Sequence, residues 1–214
     1  MKTFDTSTFE RYAEFLKERL ASKQHLTEDS VRYSFFFAAL ETTDIKQHEI
    51  ILELPHPAFE KKEIDTYVLP AEGRAAHFIE FKFHRVSNSS SPKPQKAGSL
   101  FKDFGRLSTV KSENTRCLVV YLTDGEMARY FEKHAQAYSD FWTMPNGSSF
   151  TYDDTFLAKT RNTVRNVCGD VHLARVTVAY SNRLPNDFHL RVFEMDAHPG
   201  LPSIREEALE AALV

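Results

Sequence analysis

Two strand-like runs joined by a short turn constrain this chain more than any other feature. Glu63-Ile-Asp-Thr-Tyr-Val-Leu69 and Ala76-His-Phe-Ile-Glu-Phe-Lys-Phe-His84 are rich in apolar, β-branched and aromatic residues, and Pro70-Ala-Glu-Gly-Arg-Ala75 between them carries turn residues. The pattern predicts an antiparallel hairpin with Glu72-Gly73 at its tip. Asp65 then falls directly opposite Glu80, and the Cβ atoms of such a pair are ~4.5–5.5 Å apart. Side chains alternate along a strand, so Lys82 shares the face of Glu80. Two carboxylates and an ammonium converge on one patch of sheet, which suits a hard divalent cation with a water beside it. The same residues also fit a solvated sheet face with a cross-strand ion pair, worth under ~1 kcal/mol. Acidic-x-Lys recurs at Asp44-Ile-Lys46 and Glu60-Lys-Lys62, but only Glu80-Phe81-Lys82 lies within a strand-like run with an acid on the neighbouring strand.

At 214 residues the chain suits one domain, 1–214, and 42% hydrophobic content with 18 Phe and 8 Tyr suffices for an aromatic-rich core. A formal net charge of −3 creates no global basic field, so any contact with nucleic acid must use a local patch. Cys117 and Cys168 lie far apart without a metal or redox spacing, and read as buried thiols of a reducing compartment. The amino terminus has no long apolar run, and no segment approaches the ~20 apolar residues of a membrane span. A soluble, cytoplasmic protein is the expectation.

Helical periodicity predicts a first helix over 5–24, with Phe9, Tyr12, Ala13, Leu16 and Leu20 on one stripe. A second runs from an N-cap at Thr27 to about Glu41, with Glu28 and Asp29 in its acidic first turn. His48 to Leu54 reads as the first strand, stopped by Pro55, and the hairpin supplies two more. Residues 86–93 are too polar to order themselves. From Gln95 the helical period returns through Ala97, Leu100, Phe101, Phe104 and Leu107, and Cys117 to Leu122 is the continuous apolar run of a strand buried on both faces. There follow a helix from Glu126 to Tyr138, an irregular stretch over 139–153 and a shorter helix from Asp154 to Val167. Paired strands Val171 to Tyr180 and His189 to Met195 precede a C-terminal helix from Ser203 to Leu213. This order predicts an α/β fold, a mixed β-sheet with helices on both faces.

That order, with those residues on it, resembles the PD-(D/E)xK nuclease superfamily, which includes many type II restriction enzymes and repair nucleases. The resemblance covers residues 26–125, preceded by the helix over 5–24 and followed by an extension over 139–214. Asp65 matches the family's Asp on the second strand of a meander, and Glu80 and Lys82 match the Glu-x-Lys of the third. Glu28 looks like the glutamate many members carry on the helix before the meander. Ala97-Gly-Ser-Leu-Phe-Lys-Asp-Phe-Gly-Arg-Leu107 is similar to the helix that follows the motif in several branches. Ile64, before Asp65, stands where Pro is found in other members. The resemblance implies a restriction-endonuclease-like core and a Mg²⁺-dependent nuclease, with Mn²⁺ as substitute, acting on phosphodiester bonds and foremost on DNA. The alternative is the same fold as a weakly active or inactive nucleic-acid-binding module of a larger defence, repair or recombination assembly. A homodimer would also suit double-strand cutting.

Mg²⁺ takes oxygen ligands, keeps several waters and is held by one or two carboxylates. Asp65 and Glu80 would supply these, and the resemblance adds the backbone carbonyl of Phe81. Lys82 either orients the nucleophilic water or, with a depressed pKa, acts as base. Glu28 orients Lys82 or a water, binds a second ion, or serves only its helix terminus, worth ~0.3–1 kcal/mol. His84 either touches a phosphate or is a partly exposed strand-end histidine, whereas His77 alternates onto the other face and packs. Lys93, Lys96, Lys102, Arg106 and Lys111 form a basic side, either a phosphate-backbone contact or a solvated face. Trp142 and its aromatic neighbours either stack on a base or pack in the core. Glu49 and Glu53 on the first strand either approach the site or, the favoured reading, are exposed. No Gly-rich phosphate loop, Cys/His zinc spacing or Gly-x-Ser-x-Gly elbow competes.

Overall fold

Local chemistry sets the start of the first two helices. Asp5 accepts hydrogen bonds from the Ser7 and Thr8 N–H groups at 2.9 and 3.3 Å, and helix α1 runs from there over Thr6–Ala21. Thr27 accepts from the Ser30 N–H at 3.1 Å while the Ser30 hydroxyl accepts from the Thr27 N–H at 2.9 Å, which opens α2, Glu28–Thr42. Such caps satisfy donors that a helix leaves unpaired. The remaining elements are β1 (Ile50–Pro55), β2 (Glu63–Val68), β3 (Ala76–His84), α3 (Lys93–Ser108), β4 (Thr115–Asp124), α4 (Gly125–Lys133), β5 (Ser149–Tyr152), α5 (Asp154–Ala158), α6 (Asn162–Cys168), β6 (Ala174–Leu184) and β7 (Phe188–Ala197). The computed structural model describes residues 4–22, 25–86, 91–110, 114–133, 138, 141–169 and 174–197.

The strands form one seven-stranded sheet in the order β1-β2-β3-β4-β7-β6-β5. β3 and β4 pair in parallel, with α3 as the crossover between them, and every other neighbouring pair is antiparallel. The protein is thus α/β, a mixed sheet flanked by helices, as the element order predicts. β4 shows why both faces are covered. Cys117, Val119 and Tyr121 join one apolar cluster with α3, α4 and α6, while Leu118, Val120 and Leu122 join a second with α1 and α2. The first cluster is dominated by aromatic rings, with Phe101 in edge contact with Phe131, Phe141 and Phe156. Cys117 and Cys168 are both buried free thiols.

Some details depart from the sequence reading. Pro55 closes β1 instead of stopping it early, as an edge strand allows. Ser149–Tyr152, in the stretch expected to be irregular, adds a short edge strand beside β6. The helix expected over Asp154 to Val167 is two helices, interrupted after Ala158. The expected C-terminal helix, Ser203 to Leu213, and Lys111 lie outside the described residues. Among the described residues no helix is long and apolar enough to cross a membrane.

Candidate active site

The hairpin keeps the register expected of it. Ala71 and Arg74 bridge across Glu72-Gly73, and Gly73 has φ of +72°, a left-handed conformation that glycine adopts without steric cost. From that turn Val68 pairs with His77, Tyr67 with Phe78 and Thr66 with Ile79. One step further, at Asp65 and Glu80, the ladder gives way. Asp65 Oδ2 accepts the Phe81 N–H at 2.7 Å, so a carboxylate takes a backbone donor of β3. On the other side of β2, Glu53 has φ of +55° and is passed over between the pairs Leu52–Thr66 and Leu54–Ile64. Asp65 therefore sits where β2 is out of register contact with both neighbours.

Helix α3 crosses the face of β3 that carries Glu80, Lys82 and His84, and a polar ladder joins the two. Arg106 Nη2 donates to Glu80 Oε1. Asp103 Oδ2 lies 3.0 Å from Lys82 Nζ. Ser99 Oγ is 3.1 Å from His84 Nε2, and Lys96 Nζ donates to the Arg85 carbonyl at 3.3 Å. The periods match: three or four helical residues advance ~4.5–6 Å and two strand residues ~6.6 Å. Helix α2 closes from the opposite layer. Glu28 Oε2 accepts the Phe83 N–H at 2.9 Å, and Arg32 Nη2 lies 3.7 Å from Asp65 Oδ1.

Four carboxylates, Glu28, Asp65, Glu80 and Asp103, thus meet three cations, Arg32, Lys82 and Arg106. Glu80 is 2% exposed. Burial, with Asp103 and Asp65 nearby, pushes its carboxyl well above the usual range against the pull of Arg106 and Lys82. Burial likewise raises Glu28, opposed by Lys82 and the Phe83 N–H. Burial works against the Lys82 charge, but Asp103, Glu28 and Glu80 outweigh it, and the ammonium is held above its ordinary value. That cation is not the lowered-pKa lysine a general base requires.

Among the described residues no group of three or more His, Cys, Asp or Glu side chains is arranged to hold a metal ion. The donor set nonetheless fits Mg²⁺, which asks for one or two carboxylates and retains waters. All candidate donors are oxygens, the carboxylates outnumber the cations, and buried Glu80 already carries a guanidinium as counter-ion.

Asp65, Glu80, Lys82 and Glu28 are brought together, and Arg106 joins them through Glu80; the remaining candidates lie outside this group. His84 is buried, not partly exposed, because Tyr121 and Ser99 enclose it at 3.2 and 3.1 Å. Burial, with Lys82 and Lys96, pushes its imidazole down to about 3. The basic side of α3 is no common solvated face. Lys96 is buried in the ladder, Arg106 is engaged by Glu80, and Lys93 lies 3.2 Å from Glu126, while Lys102 is exposed. Trp142 is buried against Phe131 with the Arg191 guanidinium over its ring. His77 packs against Phe4. Glu49 is half-buried, 2.7 Å from Arg74, and Glu53 is exposed. Asp103 and Arg32 were not singled out from the sequence. The usable signal for Asp103 is its i,i+3 spacing from Arg106 on a helix that must cross a strand bearing three polar residues on one face.

No family model, curated protein or solved structure matches this chain.

Proposed function

We propose that the protein is a Mg²⁺-dependent nuclease hydrolysing phosphodiester bonds, with DNA as its foremost substrate. The observation that carries this reading is the meeting of Asp65, Glu80 and Lys82 where β2 and β3 part, with Glu28 closing from α2. When bound, the cation supplies charge neutralisation at a phosphate and a more acidic water. Asp65 and Glu80 would hold it, with the Phe81 carbonyl as a third protein oxygen. Asp65 also fixes the backbone at Phe81 through its N–H, so one contact sets both a ligand and the strand that carries the other. Glu28 does the same at Phe83. Lys82, held as a cation by Asp103 and Glu28, is suited to orient a water and offset phosphate charge, and unsuited to remove a proton.

The test is cleavage of supercoiled and linear DNA with Mg²⁺, Mn²⁺ or EDTA, comparing the natural chain with Asp65→Ala and Lys82→Ala, each checked for folding by circular dichroism. Metal-dependent cutting lost in both folded variants is the expected result. No cutting of DNA or RNA, with no metal-dependent thermal shift, sinks the reading. A metal-dependent shift that Asp65→Ala abolishes, without cleavage, favours the nucleic-acid-binding module.

A further inference from the structure

Arg106 occupies the side of Glu80, one of the two carboxylates assigned above to a metal ion. Its Nη2 donates to Glu80 Oε1 and lies 3.6 Å from Asp103 Oδ1, so one guanidinium spans two buried acids. Glu80 is almost wholly inaccessible, and a buried carboxylate without a cation is strongly destabilising. A divalent cation on Glu80 would satisfy that need and repel the guanidinium beside it. Asp103 lies three residues before Arg106 on α3, on the same helical face, and offers a second hold when the first is lost. The other α3 cations of the basic side are engaged or placed elsewhere: Lys96 on the Arg85 carbonyl, Lys93 beside Glu126, Lys102 on the exposed side. Arg106 alone among them reaches the candidate centre, and a planar guanidinium is matched to phosphate oxygens.

We propose that Arg106 is the resident counter-cation of Glu80, that a divalent cation displaces it, and that the displaced guanidinium, tethered at Asp103, contacts the phosphate of a bound nucleic acid. This rests on the metal-centre reading above.

The experiment uses the full natural chain without nucleic acid. Phenylglyoxal modification of Arg106 is quantified by peptide mass spectrometry with EDTA and with saturating Mn²⁺, Arg183 serving as the exposed reference, while calorimetry records Mn²⁺ binding. Binding accompanied by a several-fold rise in Arg106 modification relative to Arg183 is expected. Binding with unchanged or lower modification overturns the displacement and leaves the metal centre standing. Absence of binding overturns both. Arg106→Lys keeps the charge and loses the planar fork. It is expected to bind Mn²⁺ roughly tenfold more tightly, the weight of about one charge-assisted hydrogen bond removed from the competition, while cleavage slows. A purely structural Arg106 predicts weaker metal binding in that variant, and that outcome also overturns the proposal.

Discussion

The Lys82 ammonium lies 3.0 Å from the Asp103 carboxylate, the two reaching each other from β3 and α3. Asp103 is the more buried partner, at 5% side-chain exposure against 22%. Lys82→Met is therefore expected to cost about 3 kcal/mol, because it leaves a buried carboxylate with only the more distant Arg106 guanidinium, 3.6 Å away, as partner. Asp103→Leu costs less, since Lys82 can turn toward water. The double variant should fall short of the sum by about 1–3 kcal/mol. Urea denaturation of all four proteins measures this coupling, and simple additivity would show that the pair does not hold α3 to β3.

Asp65 has a structural duty that its chemistry can be separated from. Asp65→Ala leaves the Phe81 N–H without its acceptor and should lower stability by about 1–3 kcal/mol. Asp65→Asn retains an acceptor oxygen and should cost under ~1 kcal/mol. Both variants are expected to lose the metal-dependent thermal shift. An Asn variant that keeps the shift would remove Asp65 from the ligand set.

Glu28→Gln likewise preserves an acceptor for the Phe83 N–H while removing the charge that faces Lys82. Its melting temperature should stay within about 2–4 °C of the natural chain. Cleavage is expected to fall roughly a hundredfold, the lower end of what one positioned acid–base group contributes. Unchanged cleavage would leave Glu28 with a structural role alone, at its helix terminus and on the Phe83 N–H.

Burial pushes His77 down to about 3, with Arg116 adding to the effect, and His84 to about the same value. An unfolded chain binds those protons near pH ~6.5. The folded state stays neutral in that window, so stability present above pH ~6.5 is lost as pH falls toward 3. At pH 5 each imidazole should account for about 1–2 kcal/mol of lost stability. Denaturation at pH 7.5 and 5.0 measures the loss, and His77→Leu should remove about half of it. An unaltered pH dependence in that variant would count against His77.

Gly98 marks a close approach between α3 and α6. A Cβ there would meet the Val167 Cβ at 2.7 Å and the Val164 carbonyl at 3.0 Å. Alanine is favoured by about 1 kcal/mol in a free helix, but this clash involves a backbone oxygen and a β-branched neighbour. Gly98→Ala is expected to destabilise by about 1–3 kcal/mol, read as a lowered denaturation midpoint. A stabilised variant would mean that α6 yields to α3.

The parts of this molecule legible in its sequence are those with local causes. Asp5 and Thr27 mark helix starts by their side-chain oxygens, and Gly73 with strand alternation is enough to bring Asp65 beside Glu80. The polar ladder has no local cause. Amphipathic reasoning sends Lys96 and Arg106 to solvent, because only the crossing of α3 over β3 gives them Arg85 and Glu80 as partners. Asp103 stayed hidden for the same reason. β5 escaped because four residues at a sheet edge leave too short an alternation to read, and Arg32 because its distance to Asp65 depends on how α2 docks.

All seven charged residues of the candidate site lie at or before Arg106, yet the sheet that positions them does not end there. β4 is hydrogen-bonded to β3 on one side and to β7 on the other. Cutting the chain after α4 would bare the backbone of Thr115–Asp124, an apolar strand of the kind that recruits other chains along its edge. The C-terminal strands, which contribute no candidate catalytic group, are in that sense a retaining border. A fragment that bears the site but ends before β7 therefore leaves that edge of β4 open.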